Sequence, residues 1–178
     1  DVKIIDAYKD NLSKEELAKE IEKFKPDIAG ITVLMDQYGE AAHITTKLVK
    51  NVSKDIITVL GGVYATANPK RAMEDKNLDY VVVGEGEFVF RQLVGFYSGA
   101  CALPNRGIVL RKNGKGDLDH RGHAEFIKNL DVLPKPAYHL IDFPEYAKGF
   151  AAAKRKSVDQ PGGYPYGRIL TSRGCPEK

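Results

Sequence analysis

Hydrophobic and polar positions follow two alternating periods along the first hundred residues. Runs rich in β-branched residues predict buried strands at Val2–Asp6, Asp27–Met35, Ile56–Val59 and Asp79–Glu87. Between them, apolar residues recur three and four positions apart, which predicts amphipathic helices. Strand and helix thus alternate four times, and this order is typical of an α/β fold with a doubly wound parallel sheet.

The helices carry local start and stop signals. Ser13 and Glu16 form a capping-box pattern where the first helix begins, and Lys25-Pro26 ends it because proline disfavours helix in the residue before it. Apolar stripes predict two longer helices, with a short helix around Lys70–Asp75 between them. The two stripes are Ala41, Ile44, Leu48 and Val52, and Phe90, Leu93, Val94 and Tyr97.

Two glycine-containing loops follow predicted strands. Gly61 and Gly62 precede small residues and predict an open loop where α/β sheets bind ligands, although paired glycines also serve simple turns. Gly84–Glu87 opens a helix, but Glu85 and Glu87 would repel a phosphate there. A neutral or cationic ligand with hydroxyl and amide groups fits this loop better, and simple helix capping is the alternative.

The periodicity changes beyond residue 100. Asn113-Gly114 predicts a hairpin turn, and the proline-rich stretch up to about Gly163 predicts an extended linker packed over a neighbour. Arg168–Lys178 predicts one more strand running into a cysteine-bearing loop. The predicted divisions are a first domain at 1–100, a hairpin and linker at 101–163, and the start of a further domain at 164–178.

Composition narrows the function classes. The 178 residues are 43% hydrophobic and 29% charged, with no apolar run near the roughly 20 residues of a membrane span. Two cysteines indicate no disulfide framework, so we expect a cytoplasmic protein. The basic tail from Lys148 to Lys178 shows no recognition helix with alternating aromatic residues, and no nucleic-acid partner is expected. His120 and His123 are spaced like a metal pair but lack a third ligand nearby.

Six segments, in order, resemble the N-terminal half of cobalamin-dependent radical SAM enzymes, the group that includes the anaerobic magnesium-protoporphyrin ester cyclase and many methyltransferases. They are VKIIDA, ITVL, LGGVYATANP, DYVVVGEGE, LPKPA and ILTSRGCPEK. Cys175 matches the first cysteine of the family's CxxxCxxC cluster motif, whose next cysteine would fall one residue beyond Lys178. The resemblance implies a flavodoxin-like or Rossmann-like cobalamin (B12)-binding domain, a linker and an incomplete radical SAM barrel.

The resemblance also implies a site. Cobalamin would lie across the carboxyl end of the sheet, and bulk at Gly62, as in Gly62→Leu, is expected to fill this groove without unfolding the domain. A [4Fe–4S] cluster, with Cys175 as one metal ligand, and S-adenosylmethionine would belong to the full-length parent. The cobalamin contacts carried over from the family are Ala7, Tyr8, Thr32, Leu34, Gly61, Gly62, Val63, Tyr64, Gly84, Glu85, Gly86 and Glu87.

One departure from a related pattern concerns the cobalt ligand. Cobalamin domains that ligate cobalt from below carry Asp-x-His-x-x-Gly after the first strand, whereas Tyr8 and Asn11 occupy the His and Gly places here. We therefore expect base-off cobalamin without a histidine from this loop beneath the cobalt.

The resemblance implies an enzymatic parent. The parent would perform methyl transfer or radical cyclisation on an unactivated carbon, while this chain alone would bind cobalamin and remain inactive. Its partners would be a small-molecule cofactor and substrate and the radical SAM domain of the same chain. The alternative is a non-enzymatic flavodoxin-like module that binds a nucleotide or a protein partner.

Overall fold

The computed structural model describes residues 1–7, 9–112, 116–142, 144–145 and 173. The chain divides into two compact units, Asp6–Val132 and a second formed by Asp1–Ile5 with Leu133–Lys178. The helices are α1 (Lys14–Phe24), α2 (Gly39–Val52), α3 (Val63–Ala67), α4 (Pro69–Ala72) and α5 (Gly86–Tyr97), with 3-10 turns at Asp36–Tyr38, Leu130–Val132 and Tyr138–Leu140. The strands are β1 (Ile28–Val33), β2 (Ile57–Gly62), β3 (Tyr80–Val82), β4 (Ile108–Arg111) and β5 (Leu118–His120).

The five strands form one sheet in the order β1-β2-β3-β4-β5. Strands β1 to β3 are parallel, and β4 and β5 are antiparallel to their neighbours. The predicted α/β fold is confirmed, and the sheet is mixed because the predicted hairpin contributes its last two strands. Asn113 and Gly114, the predicted turn, lie outside the described residues.

Both faces of the sheet are covered. On one face, Leu60, Val81 and Val109 pack with apolar residues of α2, α3 and α4, and a smaller cluster joins α1 and α2 to β1. On the other face, Val59 and Val82 pack with residues of α5. Successive strand residues therefore point to opposite layers, as a sheet buried on both faces requires.

Helix α1 forms where its local signals predicted. Ser13 Oγ accepts the Glu16 amide proton at 3.2 Å, and Glu16 Oε2 accepts the Ser13 amide proton at 2.9 Å. The helix ends at Phe24, followed by Lys25 in a left-handed conformation with φ of 52°. The capping box and the stop before Pro26 are thus confirmed.

The predicted strand at Val2–Asp6 was wrong. The segment has no strand structure, and Val2 and Ile4 are 70% and 49% exposed. A β-branched run becomes a strand only beside a partner that completes its hydrogen-bond ladder. The described residues include no strand in this segment, and the sheet consists of β1 to β5.

Helix α2 is present, but its buried face differs from the predicted stripe. Ala41 is exposed and Ile44 is 40% exposed, whereas Thr46 and Lys50 are buried. These two polar side chains are stabilised by aspartates in the connection before β3. A pattern of apolar residues alone cannot anticipate that pairing.

The Lys50 ion pair joins α2 to the start of β2 and to the connection before β3. Lys50 Nζ lies 2.7 Å from Asp79 Oδ2 and donates to the Ile56 carbonyl oxygen at 2.7 Å. The same carboxylate oxygen accepts the Thr58 amide proton at 2.8 Å. Because the charge of this lysine is compensated and its donors are used, its burial is tolerated.

Candidate functional site at the carboxyl edge of the sheet

The parallel strands β1, β2 and β3 end at the same edge of the sheet. Thr32 pairs with Gly61, and Val33 pairs with Gly62. Leu34 follows directly and is 72% exposed. The predicted contacts after β1, β2 and β3 therefore lie along one edge, although their role in binding stays a prediction.

Gly61 and Gly62 are the last residues of β2 and differ in their surroundings. A Cβ on Gly61 would meet its nearest described atom, Val82 Cβ, at 4.0 Å. A Cβ on Gly62 would lie 2.4 Å from the Val33 carbonyl oxygen, and Gly62 has φ of 93°. The expectation that Gly62→Leu would merely fill a groove is therefore wrong, because a side chain there collides with β1.

The residues after the glycines form a helix and not the predicted open loop. Helix α3 begins at Val63, which is 59% exposed, while Tyr64 is only 3% exposed. Small Ala65 is fully buried against the sheet. The small residues of this segment therefore allow close helix packing, and Val63 and Ala67 are its exposed positions.

The Gly84–Glu87 loop is covered by a later segment. Gly84 has φ of 94°, and its amide donates to Thr66 Oγ1 at 3.0 Å. Glu85 Oε2 accepts the Ile127 amide proton at 2.7 Å, and a Cβ on Gly84 would lie 3.3 Å from the Ala124 nitrogen. Glu85 therefore stabilises the chain that follows β5. Sequence reasoning missed this contact, which spans 42 residues and has no local signal.

The remaining predicted residues divide into described and undescribed ones. Ala7 is half-buried in a turn, and its carbonyl accepts the Leu12 amide proton at 2.9 Å. Gly86 begins α5, and Glu87 is exposed in its first turn. Tyr8 and Cys175 lie outside the described residues.

A chain of polar side chains runs from Tyr64 to the connection before β3. Tyr64 Oη lies 2.9 Å from His43 Nε2, and His43 Nδ1 lies 3.0 Å from Asp75 Oδ2. Thr46 Oγ1 donates to the same carboxylate at 2.6 Å, and Asn77 donates to its other oxygen. Burial raises the pKa of Asp75, but the hydrogen bonds outweigh burial and leave that pKa below its ordinary value.

A cavity of about 460 Å³ opens beside this chain of side chains. It lies between the start of α2 and the α3–α4 segment, and its lining carries more carboxylates than cations. Burial raises the pKa of the Tyr64 hydroxyl in its wall, so this group stays protonated at neutral pH. The lining residues are Asp36, Gly39, Glu40, His43, Tyr64, Arg71, Glu74 and Asp75.

The described residues carry neither a metal cluster nor a membrane-spanning helix. Within them, no three His, Cys, Asp or Glu side chains come together as a metal ion would need, and His120 and His123 are both exposed. In the same part of the chain, no helix combines the length and apolar character needed to cross a bilayer.

Comparison with known proteins identifies the family. Residues 1–94 match the model of the B12 binding domain. The chain belongs to this family. This B12-binding chain is 34% identical over 178 residues to an uncharacterized methyltransferase of Pyrococcus horikoshii, with 99% of this chain and 35% of that protein aligned.

Two further relatives agree with the resemblance found in the sequence. The anaerobic magnesium-protoporphyrin IX monomethyl ester cyclase of Cereibacter sphaeroides is 35% identical over 182 residues, covering 99% of this chain and 27% of that protein. The apo structure of OxsB, a cobalamin-dependent S-adenosylmethionine radical enzyme, shares the fold with a TM-score of 0.60 at 22% identity. That match covers 76% of this B12-binding chain and 19% of OxsB. The chain thus spans about a third or less of these proteins.

Proposed function

We propose that this chain is the cobalamin-binding portion of a radical SAM enzyme and that cobalamin lies across the carboxyl ends of β1 to β3. The family match supports the cofactor, and the relatives named as a methyltransferase and a cyclase support an enzymatic parent. When bound, the cofactor would supply a methyl group for transfer. Methyl transfer is our first proposal for the parent, and radical cyclisation is the second.

The observation that carries the proposal is the open position at Gly61 beside exposed apolar side chains. The described atom nearest to the place of a Cβ on Gly61 is 4.0 Å away, so a flat ring can approach the backbone. Leu34, which follows β1, is 72% exposed, and Val63, which follows β2, is 59% exposed. This surface suits a large ring with an apolar face.

The polar groups at the same edge fit the amide-bearing rim of a corrin. Thr32 is exposed at the end of β1, and Glu87 is exposed in the first turn of α5. Hydroxyl and carboxylate oxygens accept hydrogen bonds from carboxamides, whereas a carboxylate repels a free phosphate. These residues and the backbone of Gly86 are proposed contacts, whereas Gly84 and Glu85 are engaged by Thr66 and Ile127.

Cobalt in this site is proposed to have no histidine ligand from below. Tyr8 stands in the place of a ligating histidine after the first predicted strand, and both ring nitrogens of His43 have hydrogen-bond partners. Electron paramagnetic resonance of the cob(II)alamin form should therefore lack nitrogen superhyperfine splitting. If splitting is observed, the proposal of an open lower face is wrong. Loss of that splitting in His123→Ala would then identify the exposed His123 as the ligand.

Equilibrium dialysis of the 178-residue chain with hydroxocobalamin tests the proposed function. The Gly61→Val variant should remain folded, because the position is open, but should lose affinity by about tenfold or more. Ala41→Leu, which also adds three carbons at an exposed position of α2, is the matched control and should bind as the wild type does. A folded wild-type chain without detectable binding would contradict the proposal and favour a nucleotide- or protein-binding module.

A further inference from the structure

The backbone at Gly61–Val63 is fixed from two sides. On one side, Thr32 and Val33 of β1 pair with Gly61 and Gly62. On the other side, the segment continues into α3, whose second residue is the buried Tyr64. Because glycines contribute no side-chain anchors, the position of this segment depends on its pairing with β1 and on how α3 is held.

The Tyr64 ring has little freedom to move. A Cβ on Gly39 would lie 2.8 Å from Tyr64 Cζ, so the ring packs directly against the first residue of α2. The ring also meets the His43 ring edge-on, with centroids 5.8 Å apart. Packing therefore fixes the plane of the ring, and the hydroxyl adds a directional contact at its far end.

The direction of that hydroxyl contact follows from Asp75. An ionised carboxylate only accepts hydrogen bonds, so His43 Nδ1 must be the donor in their 3.0 Å contact. In the neutral imidazole, Nε2 is then the acceptor for the Tyr64 hydroxyl at 2.9 Å. The aspartate thus selects the tautomer that can hold the tyrosine.

We propose that His43 and Tyr64 are positioning residues for the cobalamin site. Through the hydrogen bond to its hydroxyl, His43 holds Tyr64 and α3, and thereby keeps Gly61–Val63 in the conformation that receives the cofactor. The inference rests on the proposed function. It assigns neither side chain to contact with the cofactor.

Two amide substitutions at His43 distinguish its contact with Asp75 from its contact with Tyr64. In His43→Asn, the side-chain amide lies near the place of Nδ1, so it still donates to Asp75 but does not reach Tyr64. In His43→Gln, the longer side chain reaches the place of Nε2 and offers a carbonyl oxygen to the Tyr64 hydroxyl. Both variants carry a neutral amide, so they differ chiefly in which partner they can reach.

Dialysis of the 178-residue chain with hydroxocobalamin gives the readout. Tyr64→Phe and His43→Asn should raise the dissociation constant by up to about fivefold, because one ordinary hydrogen bond limits how far they can shift Gly61–Val63 out of the receiving conformation. His43→Gln should stay within about twofold of the wild type. Such rescue by the longer amide is not expected from a role in packing alone.

Tyr97→Phe is the matched control. Tyr97 Oη lies 2.9 Å from Tyr80 Oη, and Tyr80 begins β3 at the opposite edge of the sheet. This variant loses a tyrosine hydrogen bond of the same length and should keep wild-type affinity. Urea unfolding of each variant establishes that the binding assay measures folded protein.

Three results would count against the inference or its premise. Wild-type affinity in Tyr64→Phe would overturn the inference, as would equal weakening by His43→Asn and His43→Gln. If Tyr64→Phe does not fold, the comparison of the two amide variants of His43 is the deciding measurement. Failure of the wild-type chain to bind hydroxocobalamin would contradict the proposed function itself, which is a different result.

Discussion

Alanine substitutions at the two adjacent glycines of β2 should differ sharply in their effects on stability. Gly62 has φ of 93° and ψ of −171°, a region that residues with a Cβ rarely occupy. Its new Cβ would lie 2.4 Å from the Val33 carbonyl oxygen and 2.9 Å from the Val33 nitrogen. Gly61 lacks a positive φ and has its nearest described atom at 4.0 Å.

The magnitude follows from these contacts. A residue with a Cβ in the Gly62 conformation costs about 1–3 kcal/mol. Moving Val33 away would also break one or two ladder hydrogen bonds, at about 1 kcal/mol each. Gly62→Ala should therefore lower the free energy of unfolding by about 2–5 kcal/mol, whereas Gly61→Ala should leave it unchanged or raise it by up to about 1 kcal/mol.

Urea unfolding followed by far-ultraviolet circular dichroism measures the difference, and the absence of tryptophan makes this probe preferable to intrinsic fluorescence. With a slope of about 2 kcal/mol per molar urea, the Gly62→Ala midpoint should fall by about 1–2.5 M. Equal midpoints for the two variants would refute the assigned approach of Val33 to Gly62.

Three further predictions concern charge and cofactor chemistry. Lys50→Met should lower the free energy of unfolding in urea by about 2–4 kcal/mol, because it leaves the Asp79 carboxylate without its cation. Arg106→Met is the control: the side chains of Arg106 and its partner Glu125 are 60% and 74% exposed, so stability should change by less than about 0.5 kcal/mol. The pKa of Asp75 is lowered from 3.8, so its ionised carboxylate stabilises the fold above pH 3.8, and this stabilisation is lost as the pH falls towards the pKa of the folded state. Asp75→Asn should therefore flatten this part of the acid-unfolding curve. An unchanged curve would contradict the shift. Anaerobic reconstitution with iron and sulfide should give no stoichiometric absorbance near roughly 400 nm, because a site-differentiated cluster needs three cysteines and the chain has two.

The parts of the fold that the sequence predicted depend on local signals. The Ser13–Glu16 capping box acts over three residues, and the strand at Ile56–Val59 is marked by continuous β-branched residues. Such signals act within one element, so they do not require knowledge of the partner. The carboxyl-edge placement of Gly61 and Gly84 then follows from the parallel order of the strands.

The parts that were wrong or missed depend on distant partners. Thr46 lies on the buried face of α2, contrary to the predicted stripe, because Asp75, 29 residues away, accepts its hydroxyl proton. Val2–Asp6 has strand-like composition but no described ladder partner. Tyr64 is classed by sequence as a possible ligand contact, yet His43 and the packing of α3 direct it inward. Each outcome depends on contacts that no local pattern contains.

The reversal of strand direction after β3 separates the two ends of the hairpin. Strand β4 starts beside Val82 at the carboxyl edge and runs to Arg111, which pairs with Leu118 at the other end of the sheet. Lys112, which follows β4 at this distal end, is exposed. A fluorophore attached at Lys112→Cys, after serine replaces both Cys101 and Cys175, would therefore sit away from the proposed cofactor edge. Since cobalamin absorbs visible light, its arrival at that edge would be recorded as quenching by energy transfer, without a label in the site itself.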